Sequence, residues 1–379
     1  MLGPQNTPRA KKNQPLELIY SVSRRQSGGA NCVIIFHMHD IVTIGSATRD
    51  NFLKTDYSLI KWPKTSSGKA IALPLGEKIG VKDVYLTIGG NAANASVTFG
   101  RQGFKTGCFG KIGNDLSGQE LVSRLKKESV NPFFAVSKEK PTAYSVLLLS
   151  GDHGERTILG YHGAADTLVL KDIPWNKLKS KWWYLSLGGE SDKFLEPLLA
   201  FAQKNNIKVA FNPSGHHIQH YRNRVLSALK YLSFLVVNET EAANLVGISF
   251  KKENEVFKRL DKLTPGIVAV TSGPKGVTVS DGRKIYKAGI IKEQKQVDRT
   301  GAGDAFGSGF TAGLMRSQWS MVNGQWSADA IRYAIRLATA NAASVVEHIG
   351  ATEGILTKKD FEINPRWKKL KIWITTLKK

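Results

Sequence analysis

Cysteine is scarce: Cys32 and Cys108 are the only two among 379 residues. Two cysteines cannot build a disulfide framework, and neither stands in a CxxC pair that could hold structural zinc, so a reducing, cytoplasmic setting is expected. Long apolar runs are missing too. The longest fall well short of the roughly 18–20 residues that cross a bilayer, and Cys32-Val33-Ile34-Ile35-Phe36 is too short for a signal-peptide core. A membrane is therefore not an expected partner. Acidic residues are outnumbered, 31 Asp+Glu against 54 Lys+Arg, for a formal net charge of +23. Such an excess suggests a polyanion, yet residues 1–37 carry a net +4 and residues 364–379 a net +6, which leaves +13 for the body. No basic block in that body is interleaved with aromatics, so nucleic acid is not an expected partner either.

What the chain has in quantity is apolar residues, 41% of the total, and glycine, 36 in all. That is ample for a sizeable core. Residues 1–37 show no clean period and are expected to be a disordered extension or a mis-assigned start, with Met38 standing before the first convincing strand, 41–45. From there, short apolar runs alternate with helical stretches. Residues 106–110, 182–186, 207–211, 234–237 and 267–271 read as buried strands, and 92–103, 117–128, 191–205, 239–246 and 253–263 as helices. A meander follows at 277–280 and 284–288, then two long helices at 304–316 and 327–347. The expected fold is α/β, a three-layer α/β/α domain over residues 38–363 with a mostly parallel central sheet. Residues 364–379 read as a basic tail. Two stretches break the alternation. Residues 70–75 and 84–88 are expected to pair across a glycine turn, and 142–161 to form a hairpin around Gly151–Gly154; together, about 51–88 and 142–161 read as a small β-sheet lid.

Two motifs carry chemistry. In Asp298-Arg299-Thr300-Gly301-Ala302-Gly303-Asp304-Ala305-Phe306, Gly301 and Gly303 let backbone N–H groups approach a ligand, and the helix that follows aims its positive end at the same point. Asp304 sets a carboxylate beside this anion site. That pairing suits a hydroxyl that loses its proton to Asp304 while the N–H groups of Gly301, Ala302 and Gly303 stabilise an arriving phosphoryl group. In Gly89-Gly90-Asn91-Ala92-Ala93-Asn94, the glycines admit a ligand to the backbone, and asparagine offers a donor and an acceptor to hydroxyls. A polyol is the natural guest. The run His216-His217-Ile218-Gln219-His220 has no glutamate in an HExxH frame and reads as a solvated helix face.

These two strings, with Gly110-Lys111-Ile112-Gly113-Asn114-Asp115, Asn238-Glu239-Thr240-Glu241 and Thr271-Ser272-Gly273-Pro274-Lys275-Gly276 between them, resemble the signatures of the ribokinase-like, or phosphofructokinase B, carbohydrate kinases. No GxxxxGK[ST] loop is present, so a Walker-type kinase is not indicated. The resemblance implies an ATP-dependent sugar kinase, with a nucleoside kinase of the same fold as the alternative and a retired, nucleic-acid-binding scaffold as a remoter one. It implies Asp304 as base, with Gly301, Ala302 and Gly303 as its anion hole. Asp50, on the loop leaving the first strand, would grip two hydroxyls with Gly89, Gly90 and Asn94, and Arg156 on the lid would face the γ-phosphate. Asn238 and Glu241 would organise Mg²⁺, largely through water. Thr271, Gly273, Gly276 and Asn341 would surround the nucleotide. The family also commonly holds a monovalent cation near Asp298, and a homodimer through the lid is a further expectation. Arg299 departs from the pattern, since many relatives carry a small or polar residue there.

Overall fold

The computed structural model describes residues 39–376 apart from 66, 151–154, 189–192, 319–320 and 323. The expectations for residues 1–37 and for the hairpin tip Gly151–Gly154 lie outside the described residues. Strands whose both faces are apolar need cover on both sides, and that need builds the molecule. In Ser180–Ser186, Trp182 and Tyr184 point into one core with Phe99, Phe306, Phe310 and Ile331, while Trp183 and Leu185 point into the other with Leu198, Val225, Leu245 and Leu260. Among the described residues the central sheet has ten strands. From one edge they run Val130–Pro132, Thr106–Phe109, His39–Gly45, Ser180–Ser186, Lys208–Phe211, Phe234–Asn238 and Ile267–Thr271, all parallel. Val277–Ser280, Lys284–Ala288 and Ile372–Thr376 then follow antiparallel.

The last of these strands corrects the expected tail. Within the segment read as a basic tail, residues 364–376 pack on the fold: Trp367 and Leu370 are buried, Arg366 grips Glu347, and Ile372–Thr376 closes the sheet against Lys284–Ala288. The alternation Ile372-Trp373-Ile374 carries the strand signal, which the charge count obscured. Among the described residues no helix is long and apolar enough to cross a membrane.

A separate four-stranded sheet stands over the carboxyl ends of the central strands. Its order is Glu155–Tyr161, Tyr144–Ser150, Thr48–Thr55, Asp83–Gly89. The expected hairpin of residues 142–161 is there, but the pairing expected between 70–75 and 84–88 is not. Lys69–Ala72 pairs with Ser58–Lys61, and Asp83–Gly89 pairs with Thr48–Thr55. The partner strand Thr48–Thr55 went unread because its continuous buried run begins with Arg49, Asp50 and Asn51, which are polar.

Helix Ala302–Arg316 is held deep in the molecule by close backbone approach. Side chains at Gly309 and Gly313 would press on Ala338 and Ala334 of helix Ala328–Val346. Its amino end is thereby fixed beneath the lid sheet.

Candidate active site

Gly301 ends the incoming loop in a left-handed conformation, φ 78°, where a Cβ would run into Ala351. The helix that starts there leaves its first-turn N–H groups without intrahelical partners. Ala302 leans its N–H on the Arg299 carbonyl at 3.4 Å, while a Cβ at Gly303 would meet nothing within 4 Å. The backbone at Gly303 thus faces open space, which a phosphoryl group can enter.

Asp304, in the first turn, accepts a hydrogen bond from Asn94 Nδ2 at 2.9 Å. Burial pushes its carboxyl up to about 7; the Asn94 bond opposes that rise, and the nearby Asp50 carboxylate adds to it. Asn94 is itself buried, and its Oδ1 has no hydrogen-bond partner in the structure. An unpaired buried acceptor beside a carboxylate is a place for a hydroxyl donor.

Asp50 lies inside strand Thr48–Thr55, not on a loop as expected, and it is buried. Thr48 Oγ1 donates to its Oδ1 at 2.7 Å. Burial raises its pKa, the Thr48 and Ser145 hydrogen bonds pull the other way, and Asp298 adds to the rise. Gly89 is required opposite it, since any Cβ there would overlap the Asp50 carboxylate. Gly90 turns with φ 87° against the Ser46–Ala47 backbone and starts helix Asn91–Arg101, which carries Asn94. The two signatures of the sequence therefore converge on one point, the Asn94–Asp304 pair.

On the other side of the anion site lies a cavity of about 280 Å³. Thr271, Gly273 and Gly276 line one wall, Ala302 and Gly303 another, and Ala342 and Ala343 a third. A Cβ at Gly273 or Gly289 would meet nothing within 4 Å, so the backbone itself forms part of the lining.

A family model for pfkB family carbohydrate kinases matches residues 38–358. The chain belongs to that family. This pfkB kinase is 25% identical over 299 residues to a ribokinase of Lactococcus lactis, covering 78% of this chain and 91% of the relative. It is 25% identical over 240 residues to an adenosine kinase of Schizosaccharomyces pombe, covering 57% and 70%. A solved Arabidopsis thaliana ribokinase complexed with ribose and ATP shares its fold with a TM-score of 0.69 at 22% identity, over 87% of this chain and 99% of that one.

Not every expected residue of the pfkB kinase reaches the site. Asn341 turns away from the cavity that its neighbours Ala342 and Ala343 line. Its Nδ2 donates to Thr98 Oγ1 at 3.2 Å and to the Ala305 carbonyl at 2.9 Å, and its Oδ1 accepts from Leu356 N–H at 3.0 Å. With both ends engaged, it braces three segments instead of touching a ligand. Arg156 stands with its Nε 4.0 Å from Asp298, a wholly buried carboxylate that also accepts from Thr300 and from Gly350 N–H. Asn238 and Glu241 bond each other's backbone N–H, both at 2.9 Å, as a capping box on helix Glu239–Val246. Burial raises the Glu241 pKa against those bonds. The solvated-face reading of the histidines holds for His216 and His220; His217 is buried beside Ser214. Sequence reasoning missed Ser145, which reaches Asp50 only through strand register, and Tyr184, whose hydroxyl occupies the space that Gly307 leaves. Burial and the Asp304 charge hold that phenol neutral.

Proposed function

We propose that this kinase transfers the γ-phosphoryl group of ATP to a hydroxyl of a small carbohydrate, with Asp304 as the base. The observation that carries the reading is the Asp304 carboxyl. A base works best near the ambient pH, and a group at about 7 beside an open helix amino end suits phosphoryl transfer. Asp50 and the Asn94 Oδ1 acceptor would take two hydroxyls of the sugar, with Gly89 and Gly90 admitting it to the backbone. The first-turn N–H groups of Ala302 and Gly303, after the turn at Gly301, would stabilise the transferring charge. Thr271, Gly273 and Gly276 would border the nucleotide in the cavity beside them. Arg156 would approach the acceptor from the lid once drawn off Asp298.

Asn238 and Glu241 would hold Mg²⁺, which would supply positive charge against the phosphates. The donor set suits a hydrated ion: Asn238 and Glu241 give one carboxylate and one amide oxygen, and among the described residues no group of three His, Cys, Asp or Glu side chains forms a cage of its own. Asp298 is already met by Thr300, Gly350 and Arg156, so we assign it no monovalent cation.

The ribokinase relatives favour a sugar. The adenosine kinase relative favours the second reading, a nucleoside, whose ribose presents similar hydroxyls. The test is ADP release with ATP, Mg²⁺ and a panel of pentoses, hexoses, sugar phosphates and nucleosides. Turnover on sugars supports the first reading, turnover on nucleosides alone moves the assignment to the second, and turnover on neither rejects both.

A further inference from the structure

We infer that Arg299 is the cation that holds the ribose-proximal phosphates of the donor nucleotide; the inference rests on the nucleotide reading of the cavity. Arg299 lies on the loop that feeds helix Ala302–Arg316, and that loop is rigid. Its neighbour Asp298 is wholly buried and accepts from Thr300 N–H at 3.0 Å and Thr300 Oγ1 at 2.7 Å, while Gly301 fixes the next turn. Arg299 is exposed at the mouth of the cavity and is the one cation among the described residues that line it.

The decisive feature is what holds its side chain. Where an arginine braces this fold, an acid or a backbone carbonyl meets it: Glu120 at Arg49, Glu128 at Arg101, Glu347 at Arg366, and the Asn244 and Leu245 carbonyls at Arg222. Arg299 instead donates from Nη2 to the Gln296 Oε1 amide at 3.0 Å, and among the described residues no carboxylate comes within ion-pair distance of it. Glu293, the one acid lining the cavity, is not an exception. A neutral amide orients the guanidinium without cancelling its charge. The planar fork is therefore held in place with no carboxylate against it, which suits phosphate oxygens.

Position selects which phosphates. The first-turn N–H groups at Ala302 and Gly303, next to Asp304, face the transferring end. Arg299 precedes Gly301 by two residues and shares the cavity with Gly273 and Gly276, the wall assigned to the nucleoside end. It thus falls between the two, at the α- and β-phosphates.

The test compares ATP and ADP dissociation constants by calorimetry for the unaltered chain, Arg299→Ala, Arg299→Lys and Gly289→Phe. Arg299→Ala should weaken ATP and ADP equally, by about ten- to hundredfold, the weight of a charge-assisted pair. Arg299→Lys should recover part of that loss, because it restores charge without the fork. Weakening of ATP alone would put the guanidinium at the γ-phosphate and overturn the assignment, and so would unchanged binding of both. Gly289→Phe tests the underlying reading separately. Its Cβ enters open space, so the ring fills the cavity and should abolish nucleotide binding. Undiminished binding there would show that the nucleotide sits elsewhere.

Discussion

The fold raises the Asp304 carboxyl from its ordinary 3.8 to about 7, chiefly by burial. Two consequences follow, of opposite sign for activity and for stability. The base must be ionised, so kcat/KM for the acceptor should rise with pH through an apparent pKa near 7 and flatten above it. The folded state, by contrast, binds the proton more tightly than the unfolded chain. Stability is full below the unfolded value and falls as pH climbs toward 7, beyond which the ionised, buried group is a standing cost. Asp304→Asn should therefore lower turnover by about 10²–10⁴-fold while keeping nucleotide binding. It should also melt several degrees higher than the unaltered chain at about pH 8, and at the same temperature at about pH 4. A variant with near-normal turnover, or one that gains nothing at alkaline pH, would show that the carboxylate only caps its helix.

Elements decide which residues can serve at all, and the capping box on helix Glu239–Val246 is the clearest case. Glu241 both accepts from Asn238 N–H and is assigned to Mg²⁺, so deleting it would confuse two roles. Glu241→Gln separates them, because the amide oxygen still caps the helix while the charge is gone. It should leave the melting temperature within a degree or two and raise the Mg²⁺ concentration needed for half-maximal rate; an unmoved Mg²⁺ titration would leave the residue a cap and nothing more. Asn341 makes the converse point. The resemblance to the family placed it around the nucleotide, and its three hydrogen-bond partners show a brace. Asn341→Ala strands the Leu356 N–H and the Ala305 carbonyl, and should cost roughly 1–3 kcal/mol in denaturant unfolding, with any effect on ATP affinity secondary. This contrast marks what was legible in sequence. Elements built on apolar periodicity were read to within a few residues, as with Ile267–Thr271 and Glu253–Leu263. Residues whose role rests on register or on spent hydrogen bonds were not: Asp50 was placed on a loop because strand Thr48–Thr55 is polar at its centre, and nothing in the sequence pairs Ser145 with it.

For the molecule as a whole, the lid sheet raises a question that the fold leaves open. Its two faces differ. Asp50, Phe52 and Leu147 share the face over the site, where Phe52 and Leu147 form a small buried cluster with Leu149. Register places Leu86 with Val146 and Leu159, Val84 with Leu53 and Leu148, and Tyr144 beside Tyr161 on the opposite face. Of these, Val84, Leu86, Tyr144, Leu159 and Tyr161 are 40–57% exposed, although Arg49 on the same face is covered through its pair with Glu120. An apolar face spread over all four strands of this sheet is more than the scattered exposure of an ordinary surface. We propose that a second copy of this chain covers it, lid against lid. Sedimentation equilibrium should then report twice the 41.6 kDa of one chain at micromolar concentration. Leu159→Glu together with Leu86→Glu should shift it to one, because each dimer would bury four unpaired carboxylates. Loss of association should also loosen the lid, raising the acceptor KM, and hydrogen exchange over residues 144–150 and 155–161 should become faster in the variant than in the parent. A parent protein that sediments as a single chain, or a double variant that remains paired, would place the covering partner elsewhere.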